Sequence, residues 1–103
     1  MRELTLALAI LVLAGCGGPA WPKTAGDTSC AEWTSQMTND QRQALGAAML
    51  IALRANDGGT IRPRDDVMTA YAKAVGDVCA TTPEATVSAV GATIYGLSND
   101  LQP

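Results

Sequence analysis

The chain has 103 residues, with seven Lys or Arg against ten Asp or Glu and a formal net charge of −3. That balance excludes the basic stripe on which nucleic-acid binding depends, and the length admits one small domain. Histidine is absent, which removes the commonest general base, metal ligand and neutral-pH switch together. Phenylalanine is absent too, so a core must come from Ala, Val, Leu, Ile and Met around two Trp and two Tyr.

Arg2 and the amino terminus outweigh Glu3, residues 4–13 form a run that is apolar but for Thr5, and it ends in Leu13-Ala14-Gly15-Cys16. A weakly positive start, an apolar segment of this length and small residues before a cleavage point predict a secretory signal peptide over 1–15. The run is too short to span a bilayer as a stable helix. Leu13-Ala14-Gly15-Cys16 resembles the lipobox of bacterial lipoproteins. That resemblance implies cleavage between Gly15 and Cys16, a diacylglyceryl group on the Cys16 thiol and acylation of the new amine. The protein would then be lipid-anchored to a cell membrane and face outside the cytoplasm, with two or three acyl chains holding far more firmly than one. An ordinary signal peptide with an incidental cysteine is the alternative. Removing residues 1–15 from the 103 leaves 88, with six Lys or Arg against nine Asp or Glu.

With Cys16 lipidated, Cys30 and Cys79 remain, and an even pair in a small exported domain is most simply a disulfide. Two free redox thiols are the alternative, though the pair lacks C-x-x-C spacing. Residues 17–27 (GGPAWPKTAGD) hold three glycines and two prolines, so 16–27 reads as a lipidated cysteine and flexible tether. Trp21 within it is expected either at the lipid interface or docked on the domain.

The domain is expected over 28–98. Ser29-Cys30-Ala31-Glu32 fits a capping box opening a first helix to about Met37, and Thr38-Asn39-Asp40-Gln41 opens a second to about Asn56. Asp57-Gly58-Gly59 stops it, and residues 60–63 should be extended before Pro63. A third helix over 65–80 places Val67, Tyr71, Val75 and Val78 on one stripe and Asp66, Thr69, Lys73 and Asp77 opposite. Thr81-Thr82-Pro83-Glu84 supplies the next start, and Val87, Val90, Ile94 and Leu97 give a fourth helix its packing stripe. Residues 99–103 read as a tail. The expectation is an all-α, four-helix domain tied by one disulfide.

The second helix is apolar or small throughout 44–53 (ALGAAMLIAL), so it is expected to be buried all round and central. The functional alternative leaves part of it near the surface as a latent patch for apolar partners, with Leu45, Met49, Leu50 and Leu53 as the candidate binding surface.

Catalytic chemistry needs a nucleophile with a base, a carboxylate pair in a cleft, or a metal site, and none is visible. Asp65 and Asp66 diverge by about 100° on a helix. Asn56-Asp57-Gly58-Gly59 lacks the alternating oxygen ligands and terminal glutamate of a calcium loop. Arg54, Arg62 and Arg64 bracket that loop, either as a solvated surface or as contacts to anionic headgroups. The expectation is a protein without catalytic residues, metal or cofactor.

Ser29-Cys30-Ala31-Glu32-Trp33 opening a helix, a glycine-bearing loop after a second helix, and a later helix closing on Cys79-Ala80-Thr81-Thr82-Pro83-Glu84-Ala85-Thr86 resembles the HdeA-like family of small exported helical proteins. The resemblance covers about residues 29–97. It implies a Cys30–Cys79 bridge, an aromatic position at Trp33, a homodimer near neutrality, and an acid-stress holdase that loosens at low pH to hold unfolded clients. Such a switch needs carboxylates that favour the folded state while ionised, and a chain without histidine would respond near pH 4 or below. A lipid anchor fits a second class as well: an envelope interaction or blocking lipoprotein, such as a phage or prophage superinfection-exclusion protein with a protein partner.

Overall fold

The computed structural model describes residues 19–103, so the segments expected as signal peptide and lipobox, with Cys16, lie outside the described residues. Those residues form four α-helices and no strand: α1 (Cys30–Ser35), α2 (Asn39–Asn56), α3 (Asp65–Cys79) and α4 (Val87–Leu97), with 3-10 turns at Ala25–Asp27 and Asn99–Leu101. The expected all-α class and the Cys30–Cys79 disulfide are both present.

Local chemistry explains most boundaries. Ser29 Oγ accepts from the Glu32 backbone N–H at 3.1 Å while Glu32 Oε1 accepts from the Ser29 N–H at 2.9 Å, and Thr38 and Gln41 repeat the exchange at 3.1 and 2.8 Å. Both expected capping boxes are therefore formed. Gly58 has φ +88°, the left-handed conformation that ends α2. α1 stops at Ser35, two residues before the expected end, and Met37 is buried beyond it.

The start of α4 differs from expectation. Thr81-Thr82-Pro83-Glu84 does not open the helix; Thr86 caps it, accepting from the Ala89 N–H at 3.2 Å. The reason lies in α1, whose first N–H groups have no partner within their own helix. Cys30 N–H donates to Ala85 O at 2.8 Å and Ala31 N–H to Pro83 O at 3.1 Å, while Val87 N–H donates to Thr28 O at 2.8 Å. The Pro83 and Ala85 carbonyls thus complete α1, and the helix starts only after them.

The expectation that the second helix is central and buried all round is overturned: α3 is the hub, packing on α1, α2 and α4. Its inward stripe is Met68, Tyr71, Ala72, Val75 and Cys79. Val78, expected on that stripe, is 39% exposed, and Leu97, expected on the stripe of α4, is 83% exposed. Asp66, Thr69, Lys73 and Asp77 are exposed as expected. The disulfide joins the first residue of α1 to the last of α3, with Cα atoms 4.7 Å apart.

Two glycines set the helix spacing. A Cβ on Gly46 would lie 2.9 Å from the Ala72 Cβ, so α2 and α3 touch nearly backbone to backbone. A Cβ on Gly91 would lie 2.5 Å from the Tyr71 hydroxyl. That hydroxyl is buried without a hydrogen-bond partner among the described residues, and burial pushes its pKa up to about 12. An unpaired buried hydroxyl costs on the order of 1 kcal/mol or more. Tyr71→Phe is accordingly expected to raise the urea midpoint at pH 7; a fall of more than about 1 kcal/mol would show that the hydroxyl has a partner after all.

Both ends of the domain are fastened. Trp21, Lys23 and the turn Ala25–Asp27, expected within the tether, hold to the domain: Trp21 and Ala25 pack on the core, and Trp21 Nε1 donates to Thr28 Oγ1 at 2.8 Å. Of the two alternatives for Trp21, the structure holds the docked one. Residues 99–103, expected as a tail, also dock. Leu101 is buried, and the Leu101 and Gln102 carbonyls accept from Arg54 Nη1 at 2.8 and 3.2 Å.

Candidate functional site

The two faces of α2 have different fates, decided by what packs on each. Leu50 is fully buried, Met49 is buried, and Leu45 and Leu53 pack half-buried on the core. Of the candidate set Leu45, Met49, Leu50 and Leu53, the folded state closes off Met49 and Leu50, because α3 and α4 cover that face, and leaves Leu45 and Leu53 partly exposed. The opposite face is open: Ala44, Ala48, Ile51, Ala52 and Ala55 are all exposed. At about 100° per residue, positions 44, 48, 51 and 55 lie within roughly 60° of arc. They form a straight uncharged strip on the side away from the core.

Periodicity alone hid this strip. An all-apolar helix is normally buried all round, but a domain this small has too few elements to surround one. Alanine leaves little apolar area in water, so the uncovered face is built largely of it. Ile51, 36% exposed, is the only large side chain on the strip itself.

At the C-terminal end of the strip, a cavity of about 200 Å³ opens between α2 and the following loop. Ile51, Ala55, Ile61 and Pro63 give it apolar walls, with Gly59, Thr60, Arg54 and Arg62 completing the lining. Ile61 is 77% exposed and extends the apolar surface past the helix end. Asp57, which caps that end, accepts a hydrogen bond from the Tyr95 hydroxyl at 2.7 Å and ties the loop to α4.

The three arginines around the loop do not form a common patch. Arg54 reaches the C-terminal carbonyls, Arg64 pairs with Asp66 at 3.1 Å, and Arg62 lies 3.9 Å from Asp65. Arg42, which sequence reading passed over, closes the C-terminal end of α1: its Nη1 donates to Trp33 O at 2.9 Å and Met37 O at 2.7 Å. A basic residue shortly after a helix end was the available signal.

Acid sensitivity depends on where the carboxylates lie. Of the nine in the described residues, eight are exposed and Glu32 alone is partly covered. Lys23, bonded to the carboxylate, and then the Ser29 backbone N–H hold Glu32 below its ordinary value of 4.5. Arg64 does the same for exposed Asp66. For a carboxyl lowered in the folded chain, the added stability is complete above about pH 4.5 and disappears as pH falls through the depressed folded value. Glu32→Gln retains an oxygen for the capping box and removes the charge. It is expected to lower stability at pH 7 and to flatten the loss between pH 5 and pH 3; an unchanged pH profile in urea unfolding would contradict this role.

Among the described residues, no group of three or more His, Cys, Asp or Glu could hold a metal ion, and no helix is long and apolar enough to cross a membrane. Asp65 and Asp66 are both exposed, each beside its own arginine. No protein-family model matches the chain, and no curated protein or solved structure matches it either.

Proposed function

We propose that this chain is an exported, lipid-anchored, non-enzymatic binding protein of the cell envelope that acts in its folded state through the outer face of α2. The observation supporting this reading is the uncharged strip Ala44, Ala48, Ile51 and Ala55, exposed along α2 and continued by Ile61. Its occupant is an apolar helix of a neighbouring envelope protein. The 4-3-4 spacing offers the i+3 and i+4 ridges on which a second helix seats, and alanines allow the axes to approach to about 8 Å. No charge on the strip has to be neutralised on contact. An envelope interaction or blocking lipoprotein, including one of the superinfection-exclusion kind, is the class this fits.

An acid-stress holdase of HdeA-like type needs a different event, in which protonation frees Leu45, Met49, Leu50 and Leu53 from the core. Protonating carboxylates already in water changes stability little, and Glu32 is one latch. The folded-face reading therefore has the stronger support. Its test places a photo-crosslinking residue at Ala48, or at Lys73 as control, in the full lipoprotein in its own membrane. At neutral pH a discrete adduct on a helix of one partner is expected from Ala48 and not from Lys73, and Ile51→Asp should abolish it. A second copy of this chain as the adduct would replace the heterologous partner with a homodimer. Equal labelling from both positions, or adducts only below about pH 4, would contradict the reading.

A further inference from the structure

Resting on the lipid-anchored reading, we infer that the α1–α2 corner of the domain lies directly against the bilayer. The supporting geometry is how early the chain becomes fastened. Gln41 Nε2, in the first turn of α2, donates to Pro19 O at 3.2 Å. Trp21 packs on the core and bonds Thr28, Lys23 pairs with Glu32 on α1, and the Thr24 side chain caps the turn Ala25–Asp27. From Pro19 onward the chain runs along the domain, leaving little length to act as a tether.

Cys16 precedes Pro19 by three residues. At no more than about 3.6 Å each, these reach on the order of 10 Å. The polar layer on one side of a bilayer is roughly 5–7 Å thick, so acyl chains on Cys16 hold Pro19 at the headgroups. The surface around that point suits this position. Thr34, Ser35, Gln36, Thr38 and Asn39 are exposed and uncharged, and Lys23 is already paired. The charged groups at this corner are Glu32, paired with Lys23, Arg42, bonded to the end of α1 and to Asn39, and Asp40 in the first turn of α2. Neutral polar side chains can share headgroup water without repelling an anionic surface. The other end of α2, with Ile61 and the cavity, lies about 27 Å along the helix axis from this corner.

The test uses the full lipidated protein in phosphatidylcholine vesicles containing a headgroup-nitroxide lipid. A fluorophore is placed on a cysteine introduced by Gln36→Cys or Ile61→Cys. Quenching at position 36 is expected to exceed that at position 61 at least threefold, and ten Gly/Ser residues inserted between Gly18 and Pro19 should remove the difference. Equal quenching at the two positions in protein that floats with the vesicles overturns the inference. Protein that carries no acyl mass and does not float overturns the lipid-anchored reading itself.

Discussion

Replacing both Cys30 and Cys79 with alanine is expected to lower the unfolding free energy by about 4 kcal/mol, the chain-entropy value for a loop spanning 49 positions. For a domain of this size that is a fall of roughly 15–30 °C in Tm. It is a large share of the ~5–15 kcal/mol that holds a domain together. The effect should concentrate on α1, which is six residues long and far too short to persist alone. Its hold on the domain includes the disulfide at its first residue, Trp33 buried against α3 at Gly76, the two hydrogen bonds to Ala85 and Pro83, and Arg42 on the Trp33 carbonyl. Thermal unfolding of the oxidised protein beside the double variant, followed by Trp fluorescence, measures this. A shift below about 5 °C would show that the helices hold without the bridge.

The second large effect separates the two faces of α2 at adjacent positions. Leu50→Ala is expected to cost about 3 kcal/mol, because the side chain is fully buried and its removal leaves a cavity in the core. Ile51→Ala, one residue on and facing outward, is expected to change stability by less than about 1 kcal/mol. Partner capture should show the reverse order, with Ile51→Asp abolishing it in a domain that still unfolds cooperatively. Equal destabilisation at positions 50 and 51 would mean that the outer face is covered in solution and that the strip is not open.

Much of this fold was legible in the residues because local chemistry decided it. The capping boxes at Ser29 and Thr38, the glycine stop after Asn56 and the charged face of α3 each depend on contacts within a few positions, and each is present. The failures share a cause in long-range geometry. Thr82-Pro83-Glu84 has good starting chemistry for a helix, but the carbonyls of Pro83 and Ala85 are bonded by α1, more than fifty positions earlier. The glycine- and proline-rich stretch at 19–27 and the polar C-terminus read as loose by composition, yet Gln41, Thr28 and Arg54 supply partners that no local pattern announces. The strip proposed as the site lies about half a helical turn from the residues that the sequence put forward. Hydrophobicity identified α2 as the segment of interest and ranked its leucines first, and those are the residues the core uses. The alanines left on the outside differ little from buried alanines in sequence, and only the positions of α3 and α4 tell them apart.

The most direct measurement follows apolar-dye binding, near-ultraviolet circular dichroism and suppression of client aggregation together, on the oxidised mature protein, from pH 7 to pH 2. With eight of nine carboxylates in water and the disulfide closed, the domain is expected to keep its tertiary signal to about pH 3, with dye binding low and clients unprotected. A reversible rise in dye binding and client protection below about pH 4 would contradict action through the folded face and move the function to the released core residues Leu45, Met49, Leu50 and Leu53.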